Sequence, residues 1–595
     1  MDSVIFVNLF DFSRTTYKET PIGICSISEV LKESRICISD ICDFNKIYYS
    51  GILQDNGNLK SNIEDMAAFL VAKGATIISV YTMCNNYHLA LLLCQSLKEL
   101  RPSIVTILAG PHATLVANET LEEYPFIDYV GMGEGENTIV GNIKGIINDN
   151  QKLFSGIAYR DGDKIVSVWD RKEHCNLEKL PFVDPYLNLS ESFKGVEIEV
   201  GRGCPFRCTY CSTQFFWGNK YRVKSIERVI KEIEYYIDKY GIKDFSFQHD
   251  LFTFDERYIL EFCDAISNKK MNIKWGCSSR IDTISKKMIQ RMAMAGCDTI
   301  FFGIESGSET IQKKIKKNIK IKDVLEVADE IFKNGIIPVF SFIYGFPFET
   351  EHDLNKTLQL MLELKKASKG KKTVIQLWPI NFLPKTELGE LYYDKLQFRG
   401  HVRADFSNSK YICEESIQDL IKNNKNVFLN YYDFKANEGR LYECLNTTIM
   451  TLFNEVYEYV DFTIDTIVGT YEGNILDLYN DLFMLEYDGI QQIYEYYVTE
   501  DMHEYKLSRI RIMIRCLMEL VNNKFGKCAL YEYLKFCLDI LDFTHSSDSE
   551  HHITRTYQFD VLEMKSKHII KDEYKATTIV FRRDGSSGYI QNVTK

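Results

Sequence analysis

The order of apolar runs predicts an α/β chain in three parts: a Rossmann-like (flavodoxin-like) first domain, a partial (β/α)6 barrel of TIM type, and a mainly helical carboxyl-terminal region with a short β tail. Three observations carry that prediction. Over residues 1–147 short strand-like runs alternate with helix-like ones; over residues 193–395 the alternation resumes in six units; from residue 396 it gives way to amphipathic periodicity rich in Tyr, Leu and Phe. Strands that alternate with helices imply a parallel sheet with helices on its faces.

In the first part the strands fall at Val4–Phe10, Arg35–Cys42, Thr76–Tyr81, Ile104–Ala109 and Ile127–Val130, with helices at Gly23–Lys32 and Tyr87–Leu100. Ligands of such sheets sit beyond the carboxyl ends of the strands. Two glycine-rich turns lie there, Ala109-Gly110-Pro111-His112 and Gly131-Met132-Gly133-Glu134-Gly135-Glu136, where glycine either admits a ligand to the backbone or simply turns the chain. Residues 148–192 read as a linker, with a hairpin at Gly156–Arg160 and the prolines Pro181 and Pro185.

The barrel strands fall at Val196–Val200, Asp244–Gln248, Ile273–Cys277, Thr299–Gly303, Ile337–Ile343 and Val374–Trp378. By analogy with the full eight-fold barrel, the chemistry belongs at their carboxyl ends. The last part reads as helices at Glu414–Ile421, Leu441–Tyr459, Ile475–Tyr497, Leu507–Asn522 and Leu530–Leu541, expected to cover the open side of the barrel and shape a substrate pocket. Strands follow at Thr554–Val561 and Thr577–Phe581, with a turn at Asp584-Gly585.

Composition narrows the class. With 595 residues, 45% of them hydrophobic, the chain can bury several cores, and a net charge of −12 offers no footprint for nucleic acid. The lysines from Lys313 to Lys317 are expected on a helix face in water. No apolar run approaches the roughly 20 residues of a membrane span, so a cytoplasmic protein is expected. Seventeen cysteines without a secretion signal then argue for reduced thiols and metal chemistry.

The metal chemistry has an address. Cys204-Pro205-Phe206-Arg207-Cys208-Thr209-Tyr210-Cys211 follows the first barrel strand. Three thiolates at this spacing suit a cubic iron–sulfur cluster with one iron left open for a ligand; tetrahedral zinc needs a fourth ligand at short range, and the next histidine is the distant His249. Cys413, Cys444, Cys516, Cys528 and Cys537 lack close spacing, which argues against a second cluster.

With its neighbours Gly203, Pro205, Phe206, Arg207 and Tyr210, the cysteine motif resembles that of the radical S-adenosylmethionine (SAM) enzymes. The resemblance implies a 4Fe-4S cluster on Cys204, Cys208 and Cys211 that binds SAM and cleaves it to a 5′-deoxyadenosyl radical. It also implies SAM contacts from Tyr210, from the strand-end group Gln248, His249 and Asp250, and from Arg280, Glu305, Ser306 and Gly345. His249 departs from the acidic pair common at its position. Singly, Arg280 also reads as a surface ion pair, Glu305 as a helix cap and Gly345 as a turn.

Thr20-Pro21-Ile22-Gly23 and the two glycine-rich turns resemble the cobalamin-binding domain found upstream of many radical SAM enzymes. The implied cobalamin contacts are Pro21, Gly23, Tyr81, Thr82, Gly110, Pro111, His112, Gly133, Glu134, Gly135 and Glu136. The Asp-x-His-x-x-Gly motif that supplies a cobalt ligand elsewhere is absent; His112 is expected to hydrogen-bond or pack, and His88 to be structural. The resemblance implies a methyltransferase acting on an unactivated carbon of a peptide or small natural product, one SAM methylating cobalt and a second initiating the radical. Radical cyclisation, rearrangement or oxidation without net methyl transfer is the alternative. Either requires an electron donor such as flavodoxin or ferredoxin.

Overall fold

The structure, a computed structural model, describes residues 2–12, 21–148, 155–170, 174–183, 195–398, 410–412, 414–434, 445–460, 462–485, 502–545, 552–559, 561–571, 574–584 and 587–592. Thr20, Cys413, Cys444, Gly585, and parts of the helices expected at Leu441–Tyr459 and Ile475–Tyr497 lie outside the described residues.

Seven strands form the first sheet: β1 (Ser3–Asn8), β2 (Ile38–Asp43), β3 (Ile77–Tyr81), β4 (Val105–Ala109), β5 (Tyr129–Gly131), β6 (Ile157–Asp161) and β7 (Lys164–Val168), in the order β2-β1-β3-β4-β5-β6-β7. The five parallel strands have the flavodoxin-like order. They are buried on both faces, as Val4, Val7, Ile78, Val80, Leu108 and Val130 show with no exposed surface. The hairpin expected within the linker instead extends this sheet, β6 pairing antiparallel to β5. The physical reason is the open edge of β5, whose backbone needs partners. Arg160 on β6 fixes the hairpin by donating to the carbonyls of Leu121, Tyr124 and Ile127 at 2.6–3.0 Å.

The barrel strands are β8 (Gly195–Glu199), the short β9 (Gly201–Arg202) and β10 (Arg222–Val223), then β11 (Asp244–Gln248), β12 (Lys274–Ser279), β13 (Cys297–Glu305), β14 (Ile337–Tyr344) and β15 (Val374–Pro379). β8 and β11 to β15 make one parallel six-stranded sheet in sequential order. Trp275, Phe247, Phe252 and Phe262 pack its outer face as a cluster of rings 5.2–6.1 Å apart. The indole N–H of Trp275 donates to the Ala295 carbonyl at 2.8 Å, so its burial strands no donor.

An incomplete barrel leaves β15 with an unpaired edge. Asn454, in the π-helical segment Thr451–Val456, answers it: its side chain accepts from the Ile375 N–H at 2.8 Å and donates to the Ile375 carbonyl at 2.6 Å. Helices from Leu445 to His545 share the barrel's apolar core. Residues 411–412 and 414–432 pack instead into the core of the first domain, with Tyr411, Val427, Phe428 and Tyr431 among its members. The β tail has three antiparallel strands, His552–Phe559, Tyr574–Asp584 and Ser587–Asn592, the last of which the sequence did not suggest. Among the described residues no helix is long and apolar enough to cross a membrane.

Candidate functional site

β8 and β9 deliver the chain to the mouth of the barrel, where the cysteine loop begins. β9 pairs antiparallel with β10, Arg202 opposite Arg222, so the residues between them form a loop closed at its neck. Asp250, just past β11, pins the loop from inside: it accepts from the Gly203 N–H at 2.7 Å and from the Thr213 hydroxyl at 3.4 Å. The Cys211 thiol in turn lies 3.1 Å from that hydroxyl. Burial, with Cys208 and Cys211 close by, pushes the Cys204 thiol up to about 11. All three cysteines are free thiols.

The later strand ends converge on the same mouth. Arg280, after β12, is buried rather than on the surface: its guanidinium lies 3.6 Å from the centre of the Phe206 ring and 3.7 Å from the Cys208 sulfur, and it pairs with Asp282 through two contacts of 2.9 Å. Glu305 ends β13 in a left-handed conformation, φ 68°, where the ladder with β14 is irregular. Its carboxylate accepts from the Tyr210 hydroxyl at 2.9 Å and from Lys317 at 2.5 Å. Burial beside this carboxylate holds the Tyr210 phenol well above its usual range. Lys317 also accepts at its carbonyl from Arg280, at 2.7 Å. The four residues make one polar network beside the cysteines, Arg280 joining it through the Lys317 carbonyl.

Lys317 corrects the expectation of a solvated lysine run. Lys313, Lys314 and Lys316 face water, but Lys317 follows the helix end and turns inward, 7% exposed. His249 is also corrected: its Nδ1 accepts from the Leu251 N–H at 2.8 Å, so Nε2 carries the proton and donates to the Arg222 carbonyl at 3.2 Å. Both nitrogens are engaged, and burial lowers the ring to about 4. It braces the loop neck. Ser306 is turned away as well, bonded to the Thr357 hydroxyl at 3.0 Å in a fully buried setting. Gln248 is half-buried at the end of β11, its amide 3.0 Å from Ser246. Gly345 ends β14 at φ 85° and donates its N–H to Glu349 at 2.6 Å; sequence reasoning missed Glu349, whose carboxyl burial raises to about 8.

The second feature is a cavity of about 270 Å³ at the carboxyl edge of the first sheet, between that sheet and the helices Ile22–Ser34 and Ile139–Ile147. Of the residues expected to contact cobalamin, Gly23, Tyr81, Gly110, Pro111, Gly133, Glu134, Gly135 and Glu136 line it. The other three expected residues do not. Pro21 caps the helix ahead of the cavity, and the Thr82 hydroxyl donates to the Ala109 carbonyl at 2.9 Å. His112 turns away, its Nε2–H donating to the Val427 carbonyl at 2.9 Å, and burial lowers its ring to about 4. His88 is likewise buried, its Nδ1 at 3.3 Å from the Tyr431 hydroxyl. Sequence reasoning missed the isoleucines of the wall and four residues contributed by the barrel: Glu199, Arg202, Phe216 and Trp217.

The donor set and the cavity suit the implied cofactors. An apolar slot with glycine at its rim can take a flat heteroaromatic tail, and none of its lining residues is a histidine. Glu134 and Glu136, with Cys175, are close enough to suggest a metal site, but arginine already neutralises them. Arg202 reaches Glu136 at 2.6 Å, Glu134 at 3.3 Å and Glu199 at 2.7 Å, and Arg222 also grips Glu134. Despite its burial, the Glu134 carboxyl is held down at about 2 by these guanidiniums.

Comparison with known proteins agrees. A model of the B12 binding domain matches residues 12–141, and one of the radical SAM superfamily matches residues 198–361. An uncharacterized methyltransferase of Pyrococcus horikoshii is 29% identical over 306 residues, 50% of this chain and 67% of that protein. The anaerobic magnesium-protoporphyrin IX monomethyl ester cyclase of Cereibacter sphaeroides is 26% identical over 51% of this chain, which spans only 50% of the cyclase. Among solved structures, the radical SAM methyltransferase TsrM from Kitasatospora setae, with cobalamin and a 4Fe-4S cluster bound, aligns with a TM-score of 0.54 at 14% identity over 67% of this chain and 77% of its own. The cobalamin-dependent SAM radical enzyme OxsB aligns with a TM-score of 0.53 at 16% identity over 91% and 84%, a likeness of fold that runs on past the barrel into the helical region. The chain carries a B12 binding domain ahead of a radical SAM domain; the radical SAM domain implies a 4Fe-4S cluster and SAM, and the B12 binding domain implies cobalamin.

Proposed function

We propose that this radical SAM enzyme transfers a methyl group to an unactivated carbon of a peptide or small natural product, in the cytoplasm, with electrons from a flavodoxin or ferredoxin. One observation supports the reading above others: the loop that carries Cys204, Cys208 and Cys211 also contributes Phe216 and Trp217 to the wall of the cavity in the B12 binding domain. The two cofactor sites are therefore neighbours across a single loop. Cobalamin, when bound, supplies a cobalt centre able to carry a methyl group. The residues supply placement: the cavity would hold the cofactor's tail, Asp250 fixes the cysteine loop, and the network of Tyr210, Glu305, Lys317 and Arg280 would orient SAM at the barrel mouth. Burial of this network excludes water from the ionised groups and strengthens their interactions.

The test uses methyl-deuterated SAM, reduced flavodoxin and candidate substrates under anaerobic conditions. Methyl transfer gives a product heavier by a labelled methyl group, with one S-adenosylhomocysteine and one 5′-deoxyadenosine per product. The similarity to the magnesium-protoporphyrin ester cyclase favours a second reading, radical oxidation or cyclisation. That reading predicts 5′-deoxyadenosine with an unlabelled product and no S-adenosylhomocysteine.

A further inference from the structure

We propose that the loop from Arg202 to Arg222 links the two cofactor sites energetically, so that cluster assembly tightens cobalamin binding and cobalamin binding favours the cluster, with Glu134 as the residue that transmits the effect. The proposal rests on the cofactor assignment above and adds a property that neither domain has alone.

The loop has little slack. At its neck Arg202 stands opposite Arg222, and both guanidiniums meet the single carboxylate of Glu134, which belongs to the first domain and lines the cobalamin cavity. Arg202 and Arg222 also lie 5.6 and 5.8 Å from the Trp217 ring, so the same two side chains hold the loop's cavity-facing aromatic in place. Inside the loop, Gly203 adopts φ 87°, and a Cβ there would lie 2.0 Å from the Lys220 carbonyl and 3.2 Å from Cβ of Trp217. The cysteine end and the Trp217 end thus press directly on one another. The chain from Cys211 to Thr213 to Asp250 to Gly203 closes the remaining side.

Ligation of a cluster by three loop cysteines fixes the loop's conformation, and that conformation presents Phe216 and Trp217 to the cavity. Linkage is reciprocal: whatever the cluster adds to cobalamin affinity, cobalamin adds to cluster retention. Glu134 carries the effect because it is the carboxylate that meets both arginines of the neck, and removing one partner of a buried ion pair leaves the other uncompensated.

The experiment is equilibrium dialysis of the full-length chain against hydroxocobalamin, with bound corrinoid measured after extraction so that cluster absorbance does not interfere. Cluster-loaded protein should bind more tightly than chelator-stripped protein by roughly 5- to 150-fold, the usual span of coupling between sites. In Glu134→Gln that ratio should fall toward one, and Trp217→Ala should weaken binding in both states. Equal affinity in the loaded and stripped native chain overturns the proposal, and that comparison requires no variant to fold. A full ratio retained in folded Glu134→Gln overturns the role of Glu134. Absence of binding in either state overturns the cavity assignment and the linkage with it.

Discussion

The cavity of the first domain and the barrel mouth lie on two sides of one loop, yet they are built from opposite materials. The cavity is walled by Ile24, Ile27, Ile107, Ile139, Ile143 and Ile146 with glycines at its rim, and its ionised groups, Glu134, Glu136, Glu199 and Arg202, are paired with one another. The mouth holds Arg280, Lys317, Glu305 and Tyr210 in a buried polar network, with the Glu305 backbone in a conformation that non-glycine residues rarely adopt. The difference separates two kinds of recognition. An apolar slot selects by shape, and errors in it reduce affinity in small steps. A buried ionic network selects by charge and geometry, and errors in it disable turnover.

The largest effect should come from the cysteines. Cys208→Ala removes a cluster ligand, and iron content and 5′-deoxyadenosine formation should both fall to background while hydroxocobalamin still binds, more weakly. Next comes Lys317→Met, which leaves the buried Glu305 carboxylate without its cation. SAM cleavage should drop roughly 10²-fold through misplacement at the mouth, with cluster content preserved. Pairing it with Glu305→Gln should recover melting temperature relative to Lys317→Met alone, because the unpaired buried charge is gone.

On the cavity side, Gly110→Ala tests shape. Gly110 has φ 111° and ψ −177°, a region essentially restricted to glycine, and a Cβ there would meet the Thr82 carbonyl oxygen at 2.6 Å. The substitution should cost about 1–3 kcal/mol of first-domain stability and weaken cobalamin binding without altering SAM cleavage. The effect seen over the narrowest range of conditions is a pH slope. The Glu134 carboxyl sits at about 2 in the folded chain against an ordinary 4.5. Its contribution to stability is therefore complete above about 4.5 and is lost as pH falls toward 2. Glu134→Gln should flatten the acid side of the stability profile over that window.

What the sequence reveals follows from distance along the chain. The three-cysteine motif, the strand ends and the glycine-rich turns are local patterns, and β11, predicted at Asp244–Gln248, falls there in the structure. Lys317 was not legible because its role comes from a turn after a helix, with left-handed residues Lys316 and Asn318 on either side, that points one lysine of four inward. His249 misled because a strand-end position says nothing of tautomer or packing; the Arg222 carbonyl that fixes its ring lies 27 residues away. Phe216 and Trp217 join the wall of the first domain's cavity only through docking of one domain on another, which no local pattern encodes. The hairpin of β6 and β7 has its turn in the sequence, but its place on the edge of the first sheet depends on an unpaired strand elsewhere.

SAM is proposed to serve this chain in two ways, through the cluster and through cobalamin. The direct measurement is the yield of S-adenosylhomocysteine and 5′-deoxyadenosine from anaerobic, cluster-loaded protein given SAM and a strong reductant, with and without hydroxocobalamin. The expected result is 5′-deoxyadenosine in both cases and S-adenosylhomocysteine only when cobalamin is present. S-adenosylhomocysteine at background in both cases, alongside normal 5′-deoxyadenosine, would contradict it.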